Sequence, residues 1–174
     1  PYSDYLAINV SSPNTPGLRG LQSAETLTAI IAQVRASMVK EVPVLVKIAP
    51  DLEIRDLEEI AEVATKMSIN GIIVSNTTTG RPINSQNPYK NEEGGLSGNP
   101  LFEPSTRVLS QLYQLTKGQT TLIGAGGVGS AEDVLKKIRS GASLVQLYTA
   151  LVYKGPSLIK KIKRDLVELL ERDG

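Results

Sequence analysis

Two short stretches of this 174-residue chain crowd carboxamides and hydroxyls together: "NVSSPNTPG" (9–17), with Asn9, Ser12 and Asn14, and "SNTT" (75–78), with Ser75, Asn76 and Thr77. A carboxamide offers two donors and a two-lone-pair acceptor, so a set of them can recognise the amide or imide edge of a planar ring such as a pyrimidine. Taken singly, each asparagine is also what an Asx-turn or a strand-end cap requires. Lys47, in "VLVKIAP", adds a positive charge. Alternation sets Val44, Val46 and Ile48 on one face of its strand and Leu45 and Lys47 on the other. If the first face meets helices, the lysine points inward and faces an anionic or electron-rich ligand. A lysine so placed also suits Schiff-base chemistry, and on an edge strand it simply reaches water.

Glycine clusters form a second kind of candidate site. "GGLSG" (94–98), with Ser97 and Gly98, and "GAGGVGS" (124–130), with Gly126 and Gly127, allow backbone amides to approach a phosphate. The second opens into a helix whose N-terminal amides favour an anion. Tight turns are the alternative use of the same residues.

Composition removes several chemistries. The chain has no histidine and no cysteine, which excludes a Ser-His-Asp triad, thiolate nucleophiles, disulfides and the usual zinc or iron–sulfur ligand sets within it. A formal net charge of +1 gives no reason to expect a nucleic-acid partner. No apolar run approaches the roughly 20 residues that span a bilayer. The chain opens without methionine and almost at once in a strand, which points to a piece of a longer protein.

The elements that must position these residues alternate. Strand-like runs at 5–10, 43–48, 71–76, 120–125 and 142–149 are separated and followed by helical patterns at 23–39, 54–67, 104–115, 131–139 and 157–171. This order predicts parallel strands with crossover helices, either an open doubly wound sheet or more than half of a (β/α)₈ barrel. Every strand end carries something polar or flexible (Asn9, Lys47, Asn76, Gly126, Tyr148 and Thr149), and this favours the barrel, which gathers such groups at its C-terminal rim. A phosphate site in such a barrel is frequently built by the loops after strands seven and eight, where Gly126, Gly127, Tyr148 and Thr149 would stand. Ser130 with Asp133 resembles a capping box, and Gly141 is a helix stop. The last helix carries Leu158, Ile162, Leu166, Leu169 and Leu170 on one packing stripe. The polar stretch from Thr77 to about Leu101 exceeds ordinary connections and is expected to be functional or mobile.

Taken together, "INVSSPNTPGLRGLQ", "VPVLVKIAPDL", "GIIVSNTT", "GGLSG", "IGAGGV" and "GASLVQLYTALVYKGP" resemble the C-terminal part of dihydroorotate dehydrogenase of the quinone-dependent class 2. The resemblance covers nearly the whole chain. It implies an FMN-containing (β/α)₈ TIM barrel that oxidises dihydroorotate to orotate in pyrimidine synthesis, here as strands four to eight of one domain. It implies Ser12 as the catalytic base, where class 1 members have cysteine. Asn9, Asn14, Asn76 and Thr77 match pyrimidine-binding positions. Asn9, Lys47, Ser75, Ser97, Gly98, Gly126, Gly127, Tyr148 and Thr149 match flavin or phosphate contacts; several members have threonine where Ser75 stands. With no imidazole to help, Ser12 is expected to pass its proton through a hydroxyl or water relay, with Thr15 as a neighbour.

The resemblance also implies that ubiquinone and the membrane are met through an amino-terminal region outside this chain, so that 1–174 alone is expected to be inactive. The location implied is the mitochondrial inner membrane, because the C-terminal third is phrased in an animal-like way, or alternatively a bacterial cytoplasmic membrane. Three other readings stay open: another FMN barrel reducing a pyrimidine, against which the lack of cysteine argues; a Schiff-base aldolase at Lys47; and a non-catalytic phosphate-binding half-barrel.

Overall fold

The β-branched runs form five short strands: β1 (Leu6–Asn9), β2 (Val44–Ile48), β3 (Gly71–Val74), β4 (Leu122–Ala125) and β5 (Leu144–Gln146). A computed structural model of the chain describes residues 3–15, 17–81 and 86–173. Pro16 of the opening motif, residues 82–85 of the long polar loop and the terminal residues 1, 2 and 174 lie outside the described residues. Each strand pairs in parallel with its neighbour in sequence, giving the order β1-β2-β3-β4-β5. A doubly wound sheet reverses its strand order to put helices on both faces. Here the order never reverses, which is the winding of a (β/α) barrel.

The two faces confirm the alternation expected at Lys47. Val44, Val46, Ile48, Ile72, Val74 and Leu122 pack against helices α1 (Ala24–Ala36), α2 (Ile54–Lys66) and α3 (Phe102–Leu115) in one apolar cluster. Leu45, Ile73, Ile123 and Ala125 form a separate small cluster on the opposite, interior face. Helix α4 (Ala131–Arg139) follows β4, and Phe102, Val128 and Val134 pack there with Leu158 and Ile162 of α6 (Ser157–Asp173).

Helix ends follow local chemistry. Pro104, read as the start of α3, is its third residue, in the first turn where a missing N–H costs nothing. The Ser130 hydroxyl accepts the Asp133 amide, but the Asp133 carboxylate reaches the Gly129 amide at 2.9 Å rather than that of Ser130, so the box is displaced by one residue. Glu53 and Asp56 form a cap on α2 that the sequence reading did not anticipate, with Asp56 accepting the Glu53 amide at 2.9 Å.

Three expectations need correction. The run 142–149 is not one strand: β5 stops at Gln146 and a six-residue helix, α5 (Thr149–Lys154), begins at once. So short an element, with Val152 and Tyr153 exposed, carries no helical periodicity that marks it in the sequence. Residues Leu18–Gln22 form a 3₁₀ turn within what was read as loop. On α6, Leu158 and Ile162 are buried while Leu170 is half exposed, so the packed stripe does not extend along the whole helix.

Truncating Ile72, fully buried between sheet and helices, is expected to cost about 2–5 kcal/mol. Leu170→Ala should stay within about 0.5 kcal/mol. Denaturant unfolding of the two variants checks both values.

Candidate active site

The carboxamides meet at the C-terminal ends of β1, β2 and β3. Asn9 pairs in register with Lys47, which puts both side chains on the interior face. Beyond β3 the backbone divides its hydrogen bonds: the Ser75 amide goes to Ala125 O at 3.0 Å and the Asn76 amide to Ile48 O at 2.8 Å. That division brings the Asn76 side chain across β2 towards Asn9. Its Nδ2 donates to Asn9 Oδ1 and to Ser11 Oγ, both at 3.1 Å.

Ser11, which the sequence reading passed over, is the hub of this network. Its side chain is completely buried, and its hydroxyl donates to Lys47 O at 2.6 Å. With its one proton so used, it accepts from Asn76. Continuing the two-residue alternation from Asn9 past the strand end would have placed Ser11 inward and Val10 outward, so a signal was present. Asn76 Oδ1 accepts the Thr77 amide at 2.8 Å, which fixes the orientation of the carboxamide. Asn9 Nδ2 and Lys47 Nζ are left without a hydrogen-bond partner among the described residues. The site thus presents donors and one positive charge to whatever enters.

The Ser12 loop approaches from the side. Ser12 Oγ accepts the Asn14 amide at 3.3 Å, and among the described residues no hydrogen bond joins it directly to Thr15. Pro13 and Asn14 lie against Gly94 and Gly95: a Cβ on Gly95 would fall 1.8 Å from Thr77 Oγ1 and 2.8 Å from Pro13 Cγ. The first two glycines of "GGLSG" therefore admit the Ser12 loop and the Thr77 hydroxyl, and only Ser97 and Gly98 of that motif face the main cavity. Asn9, Ser12 and Asn14 stand beside that cavity rather than on its wall.

The cavity has a volume of about 880 Å³, within the range of small-molecule sites. Lys47, Ser75, Asn76 and Thr77 line one side of it, and Gly126, Gly127, Tyr148 and Thr149 line another. Ser97 meets Thr149 across it, hydroxyl to hydroxyl, at 3.0 Å. The amides of Gly127 and Val128 have no acceptor within the described residues. Sequence reasoning missed Gln146, Asp133 and Lys154 on the same wall. Lys154 Nζ donates to Gly129 O at 3.1 Å, a contact that depends on the unforeseen helix α5. Among the described residues no cluster of acidic, histidine or cysteine side chains could hold a metal ion, and no helix is long and apolar enough to cross a membrane.

An ion pair holds the loop after Asn76. Arg19 Nη1 donates to Asp51 Oδ2 at 2.8 Å, and Arg19 Nη2 donates to Thr77 O at 3.1 Å. Asp51 also accepts the Thr78 hydroxyl and, at 3.0 Å, the Thr79 amide. Burial pushes the Asp51 carboxyl up, but the Thr78 hydroxyl, the Thr79 amide and the Arg19 guanidinium outweigh it, and its pKa lies below the ordinary value of 3.8. Gln22 ties the same 3₁₀ turn to the end of β2, accepting the Ala49 amide at 3.0 Å.

Residues 1–170 match the protein family described as dihydroorotate dehydrogenase. The chain is 55% identical over 181 aligned residues to the mitochondrial dihydroorotate dehydrogenase (quinone) of Oryza sativa, covering 99% of this chain and 39% of that protein. It is 51% identical over 172 residues to the dihydroorotate dehydrogenase (quinone) of Parvibaculum lavamentivorans, covering 99% and 49%. A crystal structure of DHODH in complex with ferulenol from Eimeria tenella superposes with a TM-score of 0.94 at 39% identity, covering 99% of this chain and 52% of that one. The chain therefore spans about half, or less, of the proteins it matches.

Two outcomes test this geometry. Ser11→Ala leaves Asn76 Nδ2 and Lys47 O short of a partner, and a loss of about 1–3 kcal/mol is expected in denaturant unfolding. Because the folded-state pKa of Asp51 is depressed, its stabilising contribution is complete above the ordinary aspartate value and disappears as pH falls through the lowered one. Protection of the Thr79 amide against hydrogen exchange should fall as the pH is taken below 3.8, and Asp51→Asn should abolish that dependence.

Proposed function

The chain belongs to the dihydroorotate dehydrogenase family, and from that premise we propose that it forms the C-terminal portion of an FMN-binding barrel that oxidises dihydroorotate to orotate and passes electrons to a quinone. The observation that carries this reading is the joining of Asn9, Ser11 and Asn76 at one rim, beside an unpartnered Lys47 and above a glycine-walled cavity. A pyrimidine presents carbonyl acceptors and imide edges, which free carboxamide donors can meet. We assign ring orientation to Asn9, Asn14, Asn76 and Thr77. A ring so held is confined to reactive poses, which lowers the entropic part of the barrier.

The residues present fit FMN. A phosphate would meet the free amides of Gly127 and Val128, the hydroxyls of Ser97 and Thr149, and the backbone of Gly98, Gly126 and Tyr148. Ser75 and Lys47 line the wall towards the carboxamide rim. When bound, FMN supplies a hydride acceptor. Lys47 holds a fixed positive charge where negative charge accumulates, a stabilisation that needs no reorganisation during the reaction. Ser12 takes the proton from the carbon beside the substrate carbonyl. As it does so its own hydroxyl proton passes on to a water, and the Asn14 amide donated to its oxygen favours the partial negative charge left by that departing proton.

To the half of its relatives that this chain does not span we assign the remaining barrel strands, the ubiquinone passage and the contact with the membrane. The mitochondrial name of the rice relative supports placement at the mitochondrial inner membrane. The bacterial relative, nearly as similar, supports a cytoplasmic membrane as the second placement.

In the full-length protein, a visible flavin band that bleaches on anaerobic addition of dihydroorotate is the expected result. A band that persists would overturn the substrate assignment. Ser12→Ala should keep its FMN and slow bleaching by about a hundredfold or more; stopped-flow absorbance measures this, and a wild-type rate would remove Ser12 from the reaction.

A further inference from the structure

Lys137 is the largest completely buried side chain among the described residues, and nothing in the reaction above uses it. It lies on α4 over β4, where Gly124 leaves room for its stem: a Cβ on Gly124 would stand 3.2 Å from both Cβ and Cδ of Lys137. Its ammonium donates to Ser105 Oγ at 2.6 Å and sits 5.0 Å from the centre of the Phe102 ring. With Lys137 as donor, Ser105 has its own proton free for a carbonyl, either Phe102 O at 3.1 Å or Gly126 O at 3.3 Å. Phe102 O already accepts the Thr106 hydroxyl at 2.6 Å, whereas among the described residues no other donor reaches Gly126 O. The hydroxyl proton is therefore drawn towards Gly126.

Gly126 and Gly127 both have positive φ, at 106° and 75°, and the peptide that joins them is trans. Across a planar trans peptide the carbonyl and the following N–H point in opposite directions. Holding Gly126 O back against Ser105 turns the Gly127 N–H the other way, towards the cavity that both glycines line. A Cβ on Gly127 would strike the Phe102 backbone at 2.6 Å, so the loop cannot be held in this place by a larger residue.

We propose that Lys137 and Ser105 are a buried positioning pair that aims the Gly127 amide and places a positive charge behind it, setting how strongly the pocket holds a phosphate group. This deepens the FMN reading and rests on it. An isolated buried ammonium is costly, and a methionine would fill the same space without that cost, so the fold alone gives no reason for a lysine here. Burial lowers the Lys137 pKa to about 8. The charges acting on it are Asp133 and Lys136 on its own helix and Glu103 on α3; β4 and β5 carry no titratable side chain. Deprotonation removes the charge and lets the amine accept from Ser105, which releases the Gly126 carbonyl. By linkage, an anion in the pocket raises the Lys137 pKa by the same factor by which the charged lysine tightens the anion.

The test compares FMN with riboflavin, which lacks the phosphate, on the deflavinated full-length protein from pH 7 to 9.5, a range in which the phosphate is already dianionic. In the wild type the ratio of the two affinities should fall about tenfold across that range, as one pKa unit of coupling requires. In Lys137→Met the ratio should be about tenfold lower at pH 7 and flat with pH. Ser105→Ala, which keeps the charge but loses the aim, should fall between the two. A wild-type ratio that does not change with pH, or a Lys137→Met ratio equal to the wild type, would overturn the proposal; the wild-type profile decides it even if the methionine variant does not fold. If the wild type bound neither flavin, the FMN reading would fail on its own, and inorganic phosphate would then have to show the same pH dependence and the same loss in Lys137→Met, or the pair would have no role in anion binding.

Discussion

The Ser11 hydroxyl, shut away from water, accepts from Asn76 and donates to the Lys47 carbonyl, and so joins the ends of three strands that lie far apart in the sequence. Short parallel strands leave their terminal carbonyls and amides without ladder partners, and buried groups of that kind must be paired. Ser11 and the Asn9–Asn76 pair supply those partners. The same contacts hold two carboxamides in one orientation, so the network that satisfies the strand ends also arms the rim. Stability and recognition draw on one set of atoms here, which is why the site cannot loosen without the sheet loosening too.

Two lysines divide the electrostatic work. Lys47 stands on the interior face with no partner among the described residues, presenting its charge to the cavity. Lys137 stands behind the opposite wall, sealed from water and coupled to that wall through Ser105 and the Gly126 carbonyl. A charge in a medium of low polarisability acts over a longer range than one in water, so the buried lysine can influence a ligand it never touches. The glycines between them serve three separate needs: Gly124 admits the lysine stem, Gly126 and Gly127 supply a backbone turn closed to larger residues, and Gly95 admits the Thr77 hydroxyl and Pro13.

The loops are anchored from outside the site. Arg19 and Asp51 pin the segment after Asn76, and Gln22 fixes the turn that carries Arg19 to the end of β2. These residues lie in motifs quoted for their resemblance, yet no spacing rule assigns them a role, because the partners through which they anchor the loops are 27 to 60 positions away.

Five strands, five of the six α-helices and the inward direction of Lys47 were legible in the sequence because hydrophobic alternation and helical periodicity are local properties, written within windows of a few residues. Asn9, Asn76 and the glycine motifs were legible for the same reason, as residue types at strand ends. What needed the tertiary structure was every relation across strands. The choice between a sequential and a reversed strand order depends on pairing, which no single segment encodes. Ser11 outranks its neighbour Ser12 as the hub only because Lys47 O and Asn76 come within reach of it. Helix α5, too short to show a period, escaped notice together with Lys154. The depressed pKa of Lys137 arises from burial under residues far along the chain. Chemistry and rim were determined by side-chain type and alternation; which atoms meet, and with what charge, was decided by packing, since only packing excludes water.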